Sequence, residues 1–100
     1  MPFVTAAKVK DVKEGEGKTV SVKGHEIALF NVGGKFHATD NTCAHRGGPL
    51  GEGMLDGDVV TCPWHGWKYN VKTGSSPVNP SVCVKTFKTQ VVGDEIQVEV

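Results

Sequence analysis

The stretch "HEIALFNVGGKFHAT", residues 25 to 39, sets two β-rich runs on either side of Gly33-Gly34. A glycine pair between such runs signals a hairpin, because a tight two-residue turn favours positive φ at its central positions. Upstream, "KTVSVKG" (18–24) alternates Val20 and Val22 with polar neighbours and enters the first run through Gly24. Downstream, "DVVTC" (58–62), "WKYNV" (67–71), "VCVKTFKTQVV" (82–92) and "EIQVEV" (95–100) read as further strands, with Gly93-Asp94 as the last hairpin turn. No segment keeps a helical period over a helix-length window. The pattern predicts an all-β fold, a small antiparallel β-sandwich or partly open barrel.

Two segments break this rhythm. Residues 43 to 57 hold Gly47, Gly48, Pro49, Gly51, Gly53 and Gly57, too much glycine for a strand. Residues 74 to 81, "GSSPVNPS", carry two prolines and no periodicity. Both are expected to be loops, where function concentrates on a rigid scaffold.

With 100 residues the chain makes one domain, residues 1–100, with a modest core. Apolar content of 38% and 13 glycines suit a small fold helped by a metal or disulfides. Eleven basic residues balance eleven acidic ones, which disfavours a nucleic-acid or membrane-surface binder. No secretory signal or membrane-length apolar run is visible. Three cysteines are an odd count, against a closed disulfide framework, so a reducing, cytoplasmic setting is expected.

The chemistry sits in two cysteine–histidine pairs. Cys43 and His45 are one residue apart, Cys62 and His65 are two apart, and sixteen residues lie between His45 and Cys62. Thiolate and imidazole both bind iron and zinc, and each pair falls where a strand gives way to a turn. Glycine there lets backbone approach closely and offer N–H donors to sulfur. A structural zinc tetrahedron could use all four residues, but zinc modules usually pair like with like. One cysteine and one histidine per loop suits a binuclear cluster, thiolates on one iron and imidazoles on the other. A cysteine nucleophile activated by histidine would explain only one pair.

"C-A-H", sixteen residues, then "C-P-W-H-G-W" resembles the Rieske [2Fe–2S] motif, and the strand order extends the likeness across nearly the whole chain. The resemblance implies a Rieske-type β-sandwich whose cluster-binding subdomain is formed by two loops, about 43–50 and 62–67. It implies one [2Fe–2S] cluster, with Cys43 and Cys62 on the inner iron and His45 and His65 on the outer one. "PVNP" (77–80) corresponds to a proline loop, about 76–81, that covers the cluster from a third side.

Two imidazoles in place of two thiolates leave the oxidised cluster neutral, which lifts its potential above that of a plant-type ferredoxin. The exposed imidazoles can titrate, coupling electron uptake to protons at alkaline pH. High-potential members of the family bridge the cluster loops with a disulfide, at positions that correspond here to Gly48 and Trp64. They also hydrogen-bond a cluster sulfide through a serine, where this sequence has Trp67. Both departures imply the low-potential, oxygenase-associated branch, at roughly −150 mV. Tyr69 points the other way, matching a tyrosine that donates to a cysteine sulfur in high-potential members.

Only His25 and His37 remain for a mononuclear iron site, so no catalytic residue is expected. The resemblance implies a soluble electron carrier between an NAD(P)H-dependent flavoprotein reductase and a terminal, aromatic-ring-hydroxylating type oxygenase, docking transiently with each. A small Rieske-type subunit of an assimilatory nitrite reductase is the alternative. A zinc-stabilised interaction module without redox role is the alternative of another class. Among the remaining residues, Trp64 and Trp67 are expected to pack beneath the cluster loops. Cys83 is expected to be a small buried hydrophobe in a strand, and His25 and His37 ordinary surface or half-buried histidines. Arg46 and Lys68 flank the exposed tip, either as steering charges or as plain solvated ones.

Overall fold

A computed structural model describes residues 3–42, 49–64, 66–79 and 81–100. The strands are β1 (Phe3–Lys8), β2 (Gly17–Val22), β3 (His25–Val32), β4 (Lys35–Asp40), β5 (Met54–Asp56), β6 (Val59–Thr61), β7 (Lys68–Asn70), β8 (Thr86–Phe87), β9 (Thr89–Val92) and β10 (Glu95–Glu99). They form antiparallel sheets in the orders β1-β10-β9, β2-β3-β4-β8 and β5-β6-β7. The all-β expectation holds.

Strand β3 lies between two cores. Ile27 and Leu29 face one, with Val20, Val22, Phe36, Ile96 and Val98. Ala28 and Phe30 face the other, with Leu50, Val60, Cys62, Tyr69, Val71 and Val84. Alternate strand residues point to opposite faces, so a strand buried on both sides reads as a continuous apolar run. The hairpins fall where expected. Gly33 and Gly34 both have positive φ, which a mirror-type two-residue turn requires. Lys23 and Gly24 do the same between β2 and β3.

Some expectations need correction. Residues 43 to 57 are not all loop, because β5 pairs with β6 from Met54↔Thr61 to Asp56↔Val59. The glycine there has a packing reason: a Cβ on Gly53 would overlap the carbonyl oxygen of Thr61. The predicted strand 82–92 is broken, with Cys83 in an isolated bridge to Ser75 before β8 and β9. Cys83 is exposed, not a buried hydrophobe, and ordinary strand alternation does not decide that at an isolated bridge. Finally, β1 was not anticipated. Its partner is β10 at the far end of the chain, a pairing that local pattern cannot show.

Candidate metal centre

β6 and β7 make a hairpin whose last paired residues are Thr61 and Lys68. The stretch 62–67 is its tip, closed at the neck by the Cys62 N–H donating to the Trp67 carbonyl at 2.6 Å. Positive φ at Gly66 helps reverse the chain there. Cys62 is only 1% exposed and packs in the second core. Its Sγ accepts a hydrogen bond from the Trp64 backbone N–H at 3.4 Å. Tyr69, fully buried opposite Val60, belongs to the same cluster of side chains.

Cys43, His45 and Arg46 lie outside the described residues, as does His65. The chain on both sides of residues 43–48 is firmly tied. Thr42 bridges Pro49, and the Leu50 N–H donates to the Asn41 carbonyl at 2.7 Å. The Asn41 side-chain oxygen accepts from the Gly51 N–H at 2.8 Å and from the Thr19 hydroxyl at 3.1 Å. Asn41 is thus a buried clamp between the neck of this loop and β2. Sequence reasoning missed it, since nothing in "DNTC" distinguishes a clamp from a turn. Leu50, just past the neck, is fully buried beside Cys62. The roots of the two cysteine–histidine loops therefore meet in one core.

The proline segment closes on itself. Ser76 N–H donates to the Val82 carbonyl and Val82 N–H to the Asn79 carbonyl, both at 2.9 Å. The Asn79 carboxamide oxygen accepts from the Ser81 hydroxyl at 2.7 Å. A groove of about 260 Å³, lined by Gly66, Trp67, Lys68, Ser76 and Val78, runs between this loop and the Cys62 hairpin. Pro80 lies outside the described residues.

The two tryptophans part company. Trp67 packs against the second core, whereas Trp64 is 51% exposed. His25 is exposed at the start of β3. His37 is half-buried in β4, its Nε2 fully buried without a hydrogen-bond partner among the described residues. Burial, then the positive charges of Lys72 and Lys35, push its pKa below 6.5, with Asp58 opposing.

A buried cysteine with an N–H aimed at its sulfur, on a tip that shares its core with Leu50 at the root of the second Cys–His loop, fits the donor chemistry of an iron–sulfur cluster. A family model described as "Rieske [2Fe-2S] domain" matches residues 3–88. The chain belongs to the Rieske [2Fe–2S] family.

This Rieske protein is 38% identical over 102 aligned residues to the biphenyl dioxygenase ferredoxin subunit of Pseudomonas sp. (strain KKS102), covering 99% of this chain and 93% of that one. It superposes on the Sphingomonas yanoikuyae B1 ferredoxin with a TM-score of 0.88 at 27% identity, covering 99% of each. A chain in a complex of reduced oxygenase and oxidised ferredoxin in carbazole 1,9a-dioxygenase gives 0.84 at 37% identity, covering 96% of this chain and 91% of that one. The sequence-based resemblance is borne out, and relatives matched over most of their own length are ferredoxin components of dioxygenase systems. Among the described residues no helix is long and apolar enough to cross a membrane.

Proposed function

We propose that this Rieske protein carries single electrons from an NAD(P)H-dependent flavoprotein reductase to a terminal oxygenase of the aromatic-ring-hydroxylating type. The observation that carries this reading is the end-to-end match to a ferredoxin subunit of such a system, 99% of this chain against 93% of that one. A one-electron carrier needs a redox centre held in a rigid frame, and the hairpin tip with its N–H to the Cys62 sulfur supplies part of that frame.

The carrier holds one [2Fe–2S] cluster, which takes up and releases one electron when bound. Cys43 and Cys62 hold the inner iron, and His45 and His65 the outer. Their mixed spacing supports this assignment, as does the burial of Cys62. Residues 1–100 act as a single Rieske domain, cytoplasmic, docking transiently with its partners. The potential lies towards the low end of the family's range, roughly −150 mV, since Trp67 offers no hydroxyl to a sulfide.

The test is a potentiometric titration of the purified protein followed by low-temperature EPR. A one-electron Rieske-type signal titrating at the low end supports the oxygenase-linked carrier. A clearly positive potential would move the partners to respiratory-type chains. One zinc per chain with no acid-labile sulfide would end the electron-carrier reading.

A further inference from the structure

Strand β8 pairs with β4, and β9 pairs with β10. Lys88 alone lies between β8 and β9, so the chain changes sheets at that residue. The exchange is pinned on both sides. The Glu99 N–H donates to the Lys88 carbonyl at 2.9 Å, and the Thr89 hydroxyl donates to the Phe36 carbonyl at 2.7 Å. Because β8 covers only Ala38 and Thr39 of β4, His37 is left without a partner on that side. A groove of about 390 Å³ opens there, within the roughly 300–1,000 Å³ of small-molecule sites.

The lining divides by burial. Ala38 and Val71 are each 1% exposed and Phe87 is half-buried, so these three form an apolar floor. Lys72, Lys85 and Lys88 are exposed and form the rim, with His37 and Glu99 half-buried in the wall. Lys72 shares its charge with Asp58, 4.0 Å away. Lys85 and Lys88 are in no ion pair among the described residues, and neither is Glu99, although it lines the same groove. One carboxylate out of pairing distance leaves two ammonium groups unmatched. The Lys85 Nζ sits 5.1 Å from the centre of the Phe87 ring, which holds a cation above the apolar floor.

The charge inside the groove is felt by His37. After burial, Lys72 and Lys35 are what hold its pKa below 6.5, with Asp58 opposing. The whole chain is balanced, eleven basic residues against eleven acidic, so the excess is local to this place. Neither cysteine–histidine loop contributes to it. Val71 and Lys72 follow β7 at the end away from the hairpin tip.

We propose that this groove binds a small organic carboxylate with an apolar body, the body on Ala38, Val71 and Phe87 and the carboxylate among the rim lysines. The inference goes beyond the electron-carrier reading and does not depend on it. Each half of the ligand answers one half of the lining. Ammonium groups give charge-assisted hydrogen bonds to a carboxylate, which an uncharged ring cannot accept as strongly. Covering the floor removes apolar surface from water, which a bare anion cannot do.

The experiment titrates benzoate into the oxidised holoprotein and follows the backbone amides by NMR. Saturable shifts are expected at residues 71–72 and 85–88. Benzyl alcohol, the ring without the charge, and acetate, the charge without the ring, each bind at least fivefold more weakly. Lys85→Gln combined with Lys88→Gln weakens benzoate at least fivefold. Lys10→Gln, at an exposed lysine beyond the end of β1, stays within twofold of wild type. Added salt weakens the binding. The EPR spectrum stays unchanged at saturation, since no residue of 62–67 lines the groove. Benzyl alcohol binding as tightly as benzoate overturns the role of the lysines, and acetate doing so overturns that of the floor. Equal weakening in the Lys10 variant and the double variant overturns the site, as does the absence of saturable shifts or their confinement to the loop of Cys62.

Discussion

The Trp64 backbone donates its N–H to the sulfur of Cys62 at 3.4 Å while its indole faces solvent. One residue thus divides its work, backbone to the sulfur and side chain to the surface. Donors to sulfur stabilise the reduced state of a cluster. Trp64→Pro removes the donor and is expected to lower the potential, by up to about 40 mV for a bond worth about 1 kcal/mol. Trp64→Ala keeps the N–H and leaves the potential in place. Potentiometry on the pair decides the matter, and equal shifts would assign the effect to the indole.

The histidines separate ligand from bystander. His65→Ala is expected to abolish the Rieske EPR signal, whereas His37→Ala in β4 leaves it unchanged. Equal losses in both variants would overturn the ligand assignment.

Tyr69 is fully buried in the core that holds Cys62. Tyr69→Phe is expected to lower the potential with the cluster intact. An unaltered potential would remove the hydroxyl from the list of tuning groups.

Asn41 clamps the neck of the first loop to β2 through Gly51 and Thr19. Asn41→Ala leaves a buried N–H without its acceptor, a cost of about 1–3 kcal/mol. Denaturant titration should show that loss, and iron should be released to a chelator faster than from wild type. Normal stability would mean that water replaces the carboxamide.

His37 sets a pH dependence of stability. Its folded pKa lies below the unfolded value of 6.5, because burial and then Lys72 and Lys35 disfavour the imidazolium. As pH falls through 6.5 the unfolded chain takes up a proton first, so stability drops until the folded pKa is passed. His37→Gln removes this contribution. Unfolding curves from pH 7.5 to 5 should therefore be flatter for the variant, and parallel curves would show that His37 titrates normally.

Much of this protein is local and so was legible in the sequence. The spacing of the Cys–X–His and Cys–X2–His pairs, the turns at Gly33-Gly34 and Gly93-Asp94, and the loop signal of the two prolines in 74–81 each depend on neighbours in the chain. Glycine tolerates positive φ wherever it occurs, and ligand spacing is a property of the chain itself. The rest depends on residues far apart in sequence. β1 finds β10 across the whole chain, and Gly53 allows a strand in a glycine-rich stretch because Thr61 lies close by. Asn41 becomes a clamp only when Thr19 and Gly51 arrive beside it. Cys83 and Trp64 turn outward because exposure depends on which elements cover a residue, and that is decided only when the sheets assemble.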